Sequence, residues 1–127
     1  MNVVDSSGWL EFFSAGANGA FFRPIILDTP SLVVPSITLF EVFKRLILQS
    51  NEKEALRAIN AMQGGKVVEL DGALALHAAE LSINHKLPMA DSIILATARS
   101  FDATLWTQDE DFAGIAGVQY VVKTKRG

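Results

Sequence analysis

The sequence contains no cysteine, which excludes disulfides, zinc–thiolate sites and thiol catalysis. It suits a reducing cytosol without proving one. Histidine is scarce: His77 and His85 fall in or at the end of one expected helix, away from the acidic motifs. Packing or surface roles fit them, and a histidine general base finds no support. No apolar stretch approaches the ~20 residues of a membrane span. The N-terminus lacks a basic region followed by an apolar run, so a cytoplasmic protein without a signal peptide is expected. Positive charge is not in excess either. A net charge of −3 counts against a broad basic face for nucleic acid, an objection that weakens if acids hold divalent cations facing phosphate.

Half of the 127 residues are hydrophobic, which excludes a disordered chain and supports one domain over 1–127 with a proper core. No repeat, low-complexity segment or linker interrupts it. A first strand is expected at Asn2 to Asp5, followed by a helix carrying Trp9, Leu10, Phe12 and Phe13, whose spacing reads as core. Ala15 to Ala20, with Gly16 and Gly19, reads as a loop. Leu32 to Pro35 is a buried strand, and a helix follows from Ser36 to Gln49. Asn51 and Glu54 open the next helix, which Gly64-Gly65 stops. A strand at Lys66 to Leu70, a helix capped by Asp71 and ending near His85, and a helix from Asp91 to Phe101 come next. Strands at Thr104 to Thr107 and Gln119 to Val122 complete the order. Such alternation predicts an α/β sandwich with a mainly parallel sheet. Two helices in succession before the fourth strand require one of them to cross the sheet or loop back.

In parallel sheets ligands gather at the carboxyl ends of the strands. Asp5, Glu41, Asp91 and Asp109 all fall near that edge. Each has a bland alternative. Asp5 is a natural N-cap, Asp91 offsets a helix dipole, and Asp109 and Asp111 suit a turn. Glu41 sits in Ile37-Thr38-Leu39-Phe40-Glu41-Val42-Phe43, a helix apolar on nearly its whole circumference and therefore expected to be buried. Thr38 or Arg45 would partner it there. Together, crowded carboxylates repel one another, and a hard divalent cation relieves that repulsion. The reaction class this points to is metal-assisted hydrolysis of a phosphate ester.

Four segments, Val4-Asp5-Ser6-Ser7, Glu41, Ala90-Asp91-Ser92-Ile93-Ile94-Leu95-Ala96-Thr97-Ala98 and Thr107-Gln108-Asp109-Glu110-Asp111-Phe112, resemble the PIN domain, in the small form of the VapC-like toxins of toxin–antitoxin pairs. The resemblance spans essentially the whole chain and implies a three-layer sandwich around a mainly parallel sheet of four or five strands. It implies Mg2+ or Mn2+ held by Asp5, Glu41, Asp91 and Asp109, with Asp111 as a neighbouring acid. Ser6 and Thr107 become polar residues near the metal or the scissile phosphate. The implied activity is RNA cleavage, with water attacking phosphorus in line and the 3′-oxygen leaving. A homodimer and an antitoxin partner are implied too.

Candidate RNA contacts are Lys44, Arg45, Lys86, Arg99, Lys123, Lys125 and Arg126, though charged residues at helix ends are usually only solvated. The greasy helix around Glu41 also offers surface for a dimer. A phosphorelay receiver, with Asp71 as phosphoacceptor and Thr107 and Lys123 as switch residues, is the rival from another class. It lacks the paired acids at the first strand. Gly16-Ala17-Asn18-Gly19 makes no nucleotide fingerprint. A catalytically inactive PIN adaptor is the remaining alternative.

Overall fold

The computed structural model describes residues 1–124; Lys125 and Arg126, two of the candidate RNA contacts, lie outside the described residues. Along the chain run β1 (Asn2–Val4), α1 (Ser6–Phe13), α2 (Gly19–Leu27), β2 (Leu32–Pro35), α3 (Ser36–Gln49), α4 (Glu52–Met62), β3 (Lys66–Val68), α5 (Gly72–His85), α6 (Met89–Ser100), β4 (Thr104–Thr107) and β5 (Val118–Tyr120). Single 3-10 turns occupy Thr29–Ser31 and Glu110–Phe112.

The strands form one sheet in the order β3-β2-β1-β4-β5, and every pairing is parallel. Side chains alternate across it. Val3, Val33 and Leu105 face a core closed by Leu74, Ala78 and Leu81 of α5 and Ile94 and Leu95 of α6. Val4, Leu32 and Val34 face the opposite core, with Trp9, Phe22, Ile26, Val42, Ala58 and Met62. The result is an α/β three-layer sandwich. Its strands read as unbroken apolar runs because both faces are covered.

The double helix before β4 has a geometric purpose. β3 is an edge strand and β4 lies beyond β2 and β1, so the connection crosses two strands. α6 packs on β1, β2 and β4, and α5 packs chiefly on α6. Among the described residues no helix is long and apolar enough to cross a membrane.

Two expectations are corrected. Ala15 to Ala20, read as loop, gives way at Gly19 to α2, a helix not expected from the sequence, with Pro24 inside it and Phe22 and Ile26 buried. Glycine, proline and a helix of nine residues hide the periodicity. The helix around Glu41 is not buried all round: α3 buries Thr38 and Val42, while Phe40 and Leu48 are 60% and 75% exposed. Only one side of α3 meets α1 and α4, which leaves its outer apolar residues uncovered.

Candidate metal centre

Strand direction assembles the site. β1 ends at Val4 and delivers Asp5 to the carboxyl edge; β4 ends at Thr107 and delivers Asp109 to the same edge. α3 and α6 begin there, so Glu41 and Asp91 project from their early turns.

Asp5 is buried and has hydrogen bonds on both oxygens. The Gly8 N–H and the Ser7 hydroxyl donate to Oδ1 at 3.0 and 2.7 Å. The Thr107 hydroxyl donates to Oδ2 at 2.7 Å, and Ser7 reaches that oxygen at 3.0 Å. The carboxylate therefore caps α1 and also belongs to the acid site. Burial pushes its pKa up to about 6 against these three hydrogen bonds, which lower it, with the Asp109 charge adding to the rise.

Thr107 is a junction, because its Oγ1 also accepts the Asp109 N–H at 2.9 Å. Asp109 in turn accepts the Asp111 N–H at 2.9 Å through Oδ1. Asp91, Asp109 and Asp111 each present an oxygen such that all three lie within 4.8 Å of one another. Burial, then the charges of Asp109, Asp5, Glu41 and Asp111, pushes Asp91 up to about 7. All five acids therefore share one electrostatic field.

The close group brings Asp111 forward and leaves Asp5 and Glu41 outside it. Glu41 is half-buried and accepts the Ser6 hydroxyl at 2.6 Å through Oε1. The two local partners expected for it are not used: Thr38 donates to the Pro35 carbonyl at 2.7 Å. Arg45 makes no ion pair among the described residues, where Glu54–Arg57 is the one pair. Ser7 and Gln108 went unread as site residues. The Gln108 N–H donates to Ser7 Oγ at 3.4 Å, and its side chain accepts from Asn18 Nδ2 at 3.0 Å. The only sequence signal for Ser7 was its place in Asp-Ser-Ser.

The donor set fits a hard divalent cation: three carboxylates with close oxygens, Asp91 among them pushed up to about 7, and no sulfur or imidazole. Asp71 is exposed and accepts the Leu74 N–H at 2.8 Å, an ordinary helix cap rather than a phosphoacceptor. Arg99 does not join the acid site. It lies two turns along α6 from Asp91, towards the opposite edge of the sheet, and donates to the Ala116 carbonyl at 3.3 Å.

The family model described as PIN domain matches residues 3–118. No curated protein sequence matches the chain. Among solved structures, a toxin–antitoxin complex from Klebsiella pneumoniae is similar at 28% identity and TM-score 0.78, covering 94% of this chain and 96% of that one. The sarcin–ricin-loop-cleaving toxin VapC20 of Mycobacterium tuberculosis shares the fold at 19% identity and TM-score 0.74, with 91% and 95% covered. DNA-bound VapBC from Salmonella typhimurium does so at 20% identity and TM-score 0.69, with 96% and 98% covered.

Proposed function

The chain belongs to the PIN domain family, and we propose that it is a divalent-cation-dependent endoribonuclease acting as the toxin of a toxin–antitoxin pair in the cytoplasm. The observation that carries this reading is the convergence of Asp91, Asp109 and Asp111 beside Asp5 and Glu41, with Asp91 held near 7 by its neighbours. Asp5, Glu41, Asp91 and Asp109 would hold Mg2+ or Mn2+, joined by Asp111. When bound, such a cation offsets charge on the phosphate and acidifies water.

The chain's own residues prepare that site. Ser7, Thr107 and the Gly8 N–H keep Asp5 oriented as an acceptor. Ser6 fixes Glu41 across a gap of 35 residues in sequence. Asp91 exchanges its proton near neutrality, so cation affinity rises with pH through about 7. An antitoxin partner is proposed because the similar Klebsiella structure is a toxin–antitoxin complex. An RNA substrate is proposed because the similar Mycobacterium toxin cleaves the sarcin–ricin loop. A homodimer is proposed on the exposed apolar side chains of α3.

The test is RNA degradation with Mg2+, Mn2+ or a chelator, on wild type and Asp91→Asn purified in parallel. Cleavage is expected in wild type with cation, and loss of it with chelator or in the variant. Equal degradation by both proteins would indicate a contaminating nuclease and overturn the reading.

A further inference from the structure

Asn18 sits where α2 begins, and an asparagine there ordinarily caps the helix through its own side chain. This one forms no such bond. Its amide reaches across the molecule instead, with Nδ2 donating to Gln108 Oε1 and to the Val122 carbonyl, each at 3.0 Å. Those partners lie 90 and 104 positions away in sequence. Asn18 Oδ1 accepts the Thr124 hydroxyl at 3.4 Å. Both amide hydrogens and the oxygen are therefore engaged with distant residues.

The backbone of Asn18 is fixed from the other side. Glu11 Oε2 accepts its N–H at 2.8 Å, and Gly16 leaves room for that carboxylate, because a Cβ there would collide with the Glu11 side chain. The Gly19 N–H donates to the Gly16 carbonyl at 3.0 Å. The loop thus presents the amide in one place. What the amide holds matters to the acids. Gln108 is buried and stands between Asp109 and Thr107, whose hydroxyl bonds Asp5. The Gln108 N–H donates to Ser7 Oγ at 3.4 Å, and Ser7 donates to Asp5 at 2.7 Å. Val122 follows Val121, whose N–H donates to the Thr107 carbonyl at 3.0 Å. With Lys123 it borders a cleft of about 510 Å³ that Ser7 and Asp109 also line.

We propose that Asn18 is a positioning residue for the metal centre: it clamps Gln108 to the C-terminal segment and, through Gln108, sets the placement of Ser7, Asp5 and Asp109. This rests on the cation reading of the acids and extends it to a residue outside the acidic motifs. Groups that orient metal ligands from behind change affinity although they never touch the ion. The competing use of this side chain is to cap α2, and serine separates the two. Serine caps a helix about as well as asparagine. Its hydroxyl carries one hydrogen where the amide carries two, so it cannot serve both Gln108 and Val122.

The test titrates Mn2+ by calorimetry into wild type, Asn18→Ser, Gln108→Met and the double variant, all as full chains. Each single variant is expected to weaken Mn2+ binding by roughly tenfold. The double variant should lose no more than either, because the two residues act through one contact. On RNA at fixed Mn2+, Asn18→Ser should lower kcat with KM little changed. Trypsin should cut after Lys123 faster in Asn18→Ser than in wild type, read by mass spectrometry, because the freed segment opens more often. Unchanged Mn2+ affinity in Asn18→Ser overturns the proposal, as do additive losses in the double variant. A faster cut with affinity unchanged also overturns it and leaves Asn18 fastening the C-terminal segment alone. Asn18-dependent Mn2+ binding in a wild-type chain that cleaves no RNA supports the positioning role and removes the nuclease reading. Cleavage with affinity independent of Asn18 does the reverse, so the two failures are distinguishable.

Discussion

Thr107 connects two acids that the chain places 104 positions apart, Asp5 and Asp109. Its hydroxyl donates to one and accepts from the backbone of the other, in a fully buried position. Thr107→Val keeps the shape but strands the Asp109 N–H and removes a bond that lowers the Asp5 pKa. The expected cost is about 1–3 kcal/mol of stability. Because Asp5 loses a bond that favours its charged form, the pH profile of RNA cleavage should also shift upward, and Thr107→Ser should restore it. A profile that does not move in Thr107→Val would limit the residue to packing. The sequence identified these acids and left their pairing open. Asp5 read equally as a cap or a site residue, and it is both. Glu41 had two plausible partners one turn away, yet it bonds to Ser6. Periodicity reports only which residues share a helix face, so a contact made across elements leaves no local trace.

At the level of elements, α1 sets the position of Asp5 and Ser6 and depends on Gly8. A Cβ there would lie 2.6 Å from Val4 Cγ1 and 2.7 Å from Phe22 Cε1, both in fully buried side chains. Gly8→Ala gains helix propensity of up to about 1 kcal/mol, and the overpacking outweighs it, for a net loss of about 1–2 kcal/mol. Chemical denaturation measures this, and a variant as stable as wild type would contradict the tight α1–α2 packing. That packing was illegible in advance because α2 itself was. Its Gly19 and Pro24 resemble loop residues, and its helix is held by burial of Phe22 and Ile26 rather than by propensity. The elements with strong signals were readable. Pro35 before Ser36 marks the start of α3, Asn51 and Asp71 cap α4 and α5 through their side chains, and the runs Leu32–Pro35 and Thr104–Thr107 match β2 and β4.

For the whole molecule, the parallel order β3-β2-β1-β4-β5 collects acids from distant segments at one edge, and folding brings their charges together. Asp5 and Asp91 hold protons in the folded state up to about 6 and about 7, whereas in the unfolded chain they release them near 4. Between those values the folded state binds more protons than the unfolded one, so stability falls as pH rises through about 4 to 7. The metal-free protein should therefore melt at lower temperature at pH 8 than at pH 5. A divalent cation that binds only the folded chain reverses that loss. The most direct measurement is the melting temperature of wild type and Asp91→Asn at pH 8, titrated with Mn2+. At a hundredfold excess over Kd the wild type should gain about 2.7 kcal/mol, a rise of roughly 10 °C for a domain of this size. Asp91→Asn should begin at a higher temperature without metal and respond little to Mn2+. Equal responses from the two proteins, or none from wild type, would contradict a cation centre built on these acids.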